Sequence, residues 1–524
     1  AGGAMYAVGM GLNKIMNVDD VYMGSEAKRV NFGMNVYNTG ENSVENAKQV
    51  EIYAKSDGMT AQGGYNITAK NSIQADDVTI NVANTAAGSN ARGMYAKENT
   101  ALNAISAKDV DISVSGTKSS VGMEAVNKGA NTITSDGGTV SVTARGGESY
   151  GMYTRGGDAT SNLNQSQNLI QGASKVTVAA DNIAMHSNRG TNTIKDITGK
   201  AGEKAVDIIA DGASADGRIG MYAANHQGNT FNTLSENRIA NVTGNVAVTA
   251  SGSGGDNAGM YAYTYQQKSG EGVARNIITG VDGDVTVSAL GGDKNYSMKA
   301  FAHTGHNPTE NIIENVSGTV TLKASGGSEA TGMSASGQNA TNIIRNAGGV
   351  NIDATAADSG SEAYAMRAQN GGMNIIDNRL VVGEGPVGII ITAKGASASY
   401  AMHASGAGST NAIYGSETRD NRVELHGDIH AEGGGKNILQ TGAGDDYIII
   451  DGKVTGTFQF NAGAGYDTLD LRAASWEEFT GRYQTWLEAN FNDMSIENLQ
   501  WVLGDSSGSV PQWLINMVIA YNLA

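Results

Sequence analysis

Two short turns carry the residue types and spacing most suggestive of chemistry. Thr441-Gly442-Ala443-Gly444-Asp445-Asp446 and Ala462-Gly463-Ala464-Gly465-Tyr466-Asp467 repeat one pattern of two glycines followed by aspartate. Gly442, Gly444, Gly463 and Gly465 permit tight turns whose carbonyls face an ion, and Asp446 and Asp467 supply hard carboxylate oxygens. Asp445 and Asp470 stand beside them. The donor set points to Ca2+, and the competing reading is a pair of glycine-rich β-turns without metal. The copies lie 21 residues apart, so they meet only if the segment between them makes one full turn of a coil.

Elsewhere the reactive side chains are scattered. Leu425-His426-Gly427-Asp428-Ile429-His430 could hold a metal between two histidines, but a weak strand with two exposed histidines is the simpler reading. Sugar-cleaving chemistry needs two or three neighbouring carboxylates. The column Asp111, Ser141, Thr177, Asp207, Ala247, Thr286, Thr321, Asn351 keeps its acids several repeats apart. The absence of cysteine excludes thiol catalysis, zinc fingers and a disulfide scaffold. The expectation is a protein with no catalytic residues, not an enzyme. Tyr6, Tyr95, Tyr153, Tyr222 and Tyr261 share a column that could stack sugar rings or anchor a protein, although only Tyr222 and Tyr261 fall in consecutive repeats.

The element that positions all of these is a repeat. A small residue followed by Met recurs at Met5, Met34, Met59, Met94, Met123, Met152, Met185, Met221, Met260, Met298, Met333, Met366 and Met402, at intervals of 25 to 39 residues. An Asn-x-apolar element follows each, from Asn13 to Asn411, and then an apolar-x-apolar element such as Val140–Ala144 or Val285–Ala289. The copies of this third element around Val21 and Val423 are weak. Polar residues after Met (Asn35, Glu124, Lys299, Arg367) predict an outward column, so by period two Met points inward. The residue two before Met, as in Val121, Tyr150, Tyr364 and Tyr400, is expected inside as well. The methionines read as adaptable core filler. The asparagines read as a structural column, tolerant of left-handed corners and stacked through their amides.

Three short strands per repeat cannot close a core alone, but stacked copies can. The predicted fold is all-β: a single-stack, right-handed parallel β-helix of about thirteen three-strand rungs, with a small helical C-terminal cap. At ~4.8 Å per rung the rod would be roughly 60 Å long. A β-propeller is the rival, and it would need four antiparallel strands per blade. The expected organisation is 1–440 β-helix repeats, 441–471 glycine/aspartate-rich final rungs and 472–524 cap. The cap contains amphipathic spacing over Ala473–Phe491 and an apolar stretch at Gln512–Leu523. Seventy-two glycines, three prolines and 17% charged residues fit continuous strands broken by tight turns. A net charge of −17 argues against nucleic acid as a partner. No apolar run reaches the ~20 residues that span a bilayer. The sequence opens inside a repeat, at Ala4-Met5-Tyr6-Ala7, as a fragment or processed chain would.

These short Gly/Asn/Ser-punctuated strands, cysteine-free and poor in proline, resemble the passenger domains of autotransporters and related large surface adhesins of Gram-negative bacteria. The two turns resemble the calcium nonapeptide G-G-x-G-x-D-x-U-x of exported RTX proteins at all but its first glycine, although true β-rolls repeat it in tandem. The resemblance implies a secreted or cell-surface rod used in adhesion or scaffolding. Its partners would be a host or bacterial surface protein or glycan, or further copies of the chain. A self-associating filament or surface-layer subunit is the alternative, and a carbohydrate-active hydrolase or lyase the third reading.

Overall fold

The computed structural model describes residues 3–8, 10–25, 29–63, 68–98, 100–156, 166–212, 217–225, 234–265, 272–303, 308–381, 384–504 and 508–523. Strands make up 68% of the chain and helices 6%. The architecture is a parallel β-solenoid, not a set of antiparallel blades. Contacts divide it into two compact units, Ala1–Ser288 with His303–Thr309, and Ala289–Ala302 with Glu310–Ala524.

In the first unit each strand pairs, parallel and in register, with its equivalent one repeat later. Met5, Met34, Met59, Met94, Met123, Met152, Met185, Met221 and Met260 form one unbroken column of such partners. Asn13 to Asn276 form a second. Val21, Val50, Val78, Val110, Val140, Val176, Val206 and Val246 form a third. The weak copy at Val21 is therefore a full strand. Register is held because a slip by one residue would turn every buried apolar side chain outward.

The second unit follows the same rule with Met298, Met333, Met366 and Met402. Pairing continues past the last methionine: Ile429 takes the methionine place, then Val454. Asn437 extends the asparagine column, and Phe458 follows it. The weak copy at Val423 sits between Ile389 and Ile448 and is fully buried. The glycine/aspartate segment is thus paired like the repeats before it. All thirteen repeat methionines are buried, at 7% exposure for Met5 and 0% for the rest.

Two expectations about the outer face need correction. The residue after Met is exposed only at Tyr6. It is buried at Asn35, Thr60, His186, Ser334 and His403, and half-buried at the others. Column neighbours one rung apart shield one another, which a single strand's alternation does not register. The residue two before Met, moreover, turns to the same side as the residue after Met, where it is buried at Asp57, Val121, Tyr296 and Tyr364 and half-buried at Arg92, Tyr150 and Tyr400. Arg92 sits 3.6 Å over the Tyr95 ring, Lys299 4.0 Å over Tyr296, Arg367 4.3 Å over Tyr364, and Tyr150 stacks 4.8 Å from Tyr153. The small residue before Met is the cause, because it and Met both face the core and interrupt period two. A Cβ on Gly122 would lie 2.3 Å from Val142 Cγ1 and 2.6 Å from the Gly151 carbonyl. Ala184, Ser297, Ala365 and Ala401 hold the same place, fully buried.

Helix α1, Trp476–Asn490, begins at Ser475, whose hydroxyl accepts from the Glu478 amide. It buries Phe479, Tyr483, Trp486 and Leu487. The Tyr483 hydroxyl donates to the carbonyls of Ile450 and Arg472, and Trp486 stacks on Phe458. Helix α2, Gln512–Leu523, places Trp513 against Phe479. The terminal segment is not purely helical: Asn498–Leu503 is a further strand, parallel to Thr468–Ala473.

Candidate functional site

The asparagine column is structural. Each amide nitrogen donates to the next carboxamide oxygen, from Asn13 through Asn276 in the first unit and from Asn311 through Asn437 in the second, at 2.8–3.0 Å. Many also donate to the carbonyl of the residue after Met, such as Tyr153, His186 or His403. These asparagines do not occupy left-handed corners. That conformation belongs to other residues, including Asn17, Asn46, Asn241, Asn315 and Asn346. Ladder asparagines sit inside strands, where the amide alone, not backbone tolerance, selects them.

On the outer face of the first unit the tyrosine column is more continuous than its tyrosines suggest. His186 fills the gap between Tyr153 and Tyr222, stacked at 4.9 and 4.8 Å, and Tyr222 stacks 5.2 Å from Tyr261. Tyr150 joins at one end; Tyr263, Tyr265 and His303 continue the other at 5.3–6.5 Å. Burial and Glu148 push the Tyr150 phenol up to about 12, so it stays neutral and a donor at physiological pH. Tyr95 is set apart from this row. It lies beneath Arg92, which is paired with the buried Asp57 at 2.6 Å and faces Glu124 at 3.7 Å.

The structure brings the two glycine/aspartate turns together. The intervening strands Tyr447–Asp451, Val454–Thr455 and Phe458–Asn461 make one circuit, and Tyr447 pairs with Thr468. Gly463 and Gly465 adopt positive φ, and a Cβ on either would strike the carbonyl of Gly442 or Gly444. Asp446 Oδ1 accepts from the Asn421 amide and side chain, and Asp467 Oδ1 accepts from the Asp446 amide at 2.9 Å. Asp445 Oδ1 receives the Tyr466 amide in the same manner. Asp446 Oδ2 and Asp467 Oδ2 are buried with no hydrogen-bond partner. Burial raises both carboxyls, Asp467 to about 6 with Asp446, Glu497 and Asp445 repelling it. Two orphaned buried carboxylate oxygens on neighbouring turns suit a hard cation. The Gly442 carbonyl, by contrast, accepts from the Ala464 amide and is less free to ligate.

His426, Asp428 and His430 do not converge. His426 faces Glu424 at 3.1 Å and Asp451 at 3.6 Å, while Asp428 accepts from the Lys453 amide. His430 instead stacks on His403, its partner one rung earlier, at 5.4 Å. His403 is nearly buried; burial, with His430 and Arg367 close by, holds its imidazole down at about 4. The signal for this pair was in the column, since both follow a core residue, Met402 or Ile429, at the same offset. Among the described residues no helix is long and apolar enough to cross a membrane. No protein-family model, no curated protein and no solved structure matches the chain.

Proposed function

We propose that the chain is a single-stack, right-handed parallel β-helix, a secreted or cell-surface rod that binds and scaffolds and does not catalyse. It resembles autotransporter passengers and large bacterial adhesins in this, and its partner is a surface protein or glycan. The observation that carries the reading is the row of rings from Tyr150 to His303, laid on a repetitive scaffold whose buried asparagines are spent on one another. Stacked rings at roughly 5 Å intervals present a continuous aromatic edge held at little entropic cost, suited to a glycan or a protein partner. A calcium ion held by Asp446 and Asp467 would neutralise the stacked turns.

Beads coated with the chain test this on cultured cells and glycan panels. Wild type should adhere, and Tyr222→Ala with Tyr261→Ala should lose at least ~10-fold in avidity at unchanged circular dichroism. Tyr22→Ala, exposed elsewhere, should adhere as wild type does. Coated beads that adhere no better than bare ones, or a double variant that matches wild type, would contradict the proposal.

Self-association is the second reading, favoured by the strand Asn498–Leu503. Among the described residues it pairs on one side only, and it exposes Trp501 and Val502.

A further inference from the structure

His403, His430 and Glu432 come together on one outer face through register alone. His403 pairs with His430, and Ser405 with Glu432, so the two imidazoles stack while the carboxylate sits two residues along the same side. The Nε2 of His403 lies 3.9 Å from Glu432 Oε1, and the Nε2 of His430 lies 3.7 Å from Glu432 Oε2. One ligand atom from each residue falls within 4.8 Å of the others. With metal–nitrogen and metal–oxygen bonds near ~2.0–2.2 Å, a small inward shift of these side chains would bring all three onto a single ion.

The supporting shell is what such a site requires. His430 Nδ1 lies 2.7 Å from Thr455 Oγ1, which fixes the ring and leaves Nε2 for the ion. The carbonyls of His403 and His430 each accept from a ladder asparagine, Asn411 and Asn437, so both backbones are anchored. His403 is 8% exposed, and its Nδ1 has no hydrogen-bond partner. Arg367, on the preceding rung, is engaged with Glu329 at 2.9 Å.

We propose that His403, His430 and Glu432 bind one divalent transition-metal ion of the zinc type. Imidazole nitrogens select zinc, nickel or copper over calcium, and three protein ligands leave a position open beside the exposed Glu432. This site is separate from the aspartate turns and independent of the adhesin reading.

The test is calorimetric titration of the full chain, stripped with chelator, with zinc chloride, alongside Co2+ absorption to report tetrahedral coordination. One ion per chain is expected. His430→Ala and Glu432→Gln should each weaken binding at least ~10-fold, and Thr455→Val, a positioning residue, by ~10- to 100-fold. His426→Ala should leave affinity unchanged, and excess calcium should not compete. His430 and Glu432 are partly exposed, so their variants should fold, which circular dichroism checks. Wild-type chain that binds no zinc, or binds it as tightly as the His430→Ala and Glu432→Gln variants do, would overturn the site.

Discussion

Asn168→Ala is expected to destabilise the chain by about 3 kcal/mol, a loss comparable to deleting a large core side chain. Its amide donates to Asn192 Oδ1 and the Tyr153 carbonyl, each at 2.9 Å, and its oxygen accepts from Asn131 at 2.8 Å. Asn131, Asn168 and Asn192 are all essentially inaccessible to water. Alanine would strand the Asn192 oxygen and the Tyr153 carbonyl where water cannot replace the donor, at about 1–3 kcal/mol per group. The loss should appear as a lower denaturant midpoint. Gln167→Ala, the exposed neighbour on the same strand, should stay within about 0.5 kcal/mol. Equal shifts for the two variants would mean that the ladder is incidental.

The paired aspartates should make stability depend on pH in an unusual direction. The carboxyl of Asp467 titrates near 6 in the fold, against about 3.9 unfolded, so between these values the folded state holds more protons. Stability without a cation therefore falls as pH rises from about 4 to about 6 and stays low above. A calcium ion on Asp446 and Asp467 would restore it above pH 6 by binding the folded state alone. The expected result is a wild-type melting temperature raised by calcium at pH 8 and hardly moved at pH 4.5. Asp446→Asn with Asp467→Asn should lose most of both dependences. If calcium leaves the wild-type melt unchanged at pH 8 while the pH slope persists, the turns are proton-neutralised and hold no metal.

The strand order was legible because Met, Asn and the apolar triplets recur at matching offsets, each marking a column that parallel stacking must align. The coming together of Gly442–Asp446 with Gly463–Asp467 hung on whether the residues between them make one full turn, which their three strands do. What alternation could not supply was the break at the small residue before Met, Gly151, Ala365 or Ala401. That break turned Tyr150, Tyr364 and Tyr400 to the side of the residue after Met and hid the contacts they make with Tyr153, Arg367 and His403. The histidine site was missed for a related reason. His426 and His430 are neighbours in sequence, but a stacked sheet makes the true neighbour of His430 the residue one rung away. The strand Asn498–Leu503 was obscured by its exposed, non-alternating side chains and is held by backbone pairing to Thr468–Ala473.

The most direct test of the proposed rod uses the absence of cysteine, which lets two spin labels be placed cleanly. Labels at Asp111→Cys and Asp207→Cys sit three rungs apart in the first unit, through Ser141 and Thr177, so roughly 14 Å separates their backbones. Labels at Asp111→Cys and Asn351→Cys would be seven rungs apart in a single stack, roughly 34 Å at ~4.8 Å per rung. Pulsed dipolar spectroscopy should return one narrow distribution near that value, wider than the first pair by about four rungs. A broad distribution for the second pair, or a maximum far from 34 Å while the first pair stays sharp, would contradict the single-stack rod.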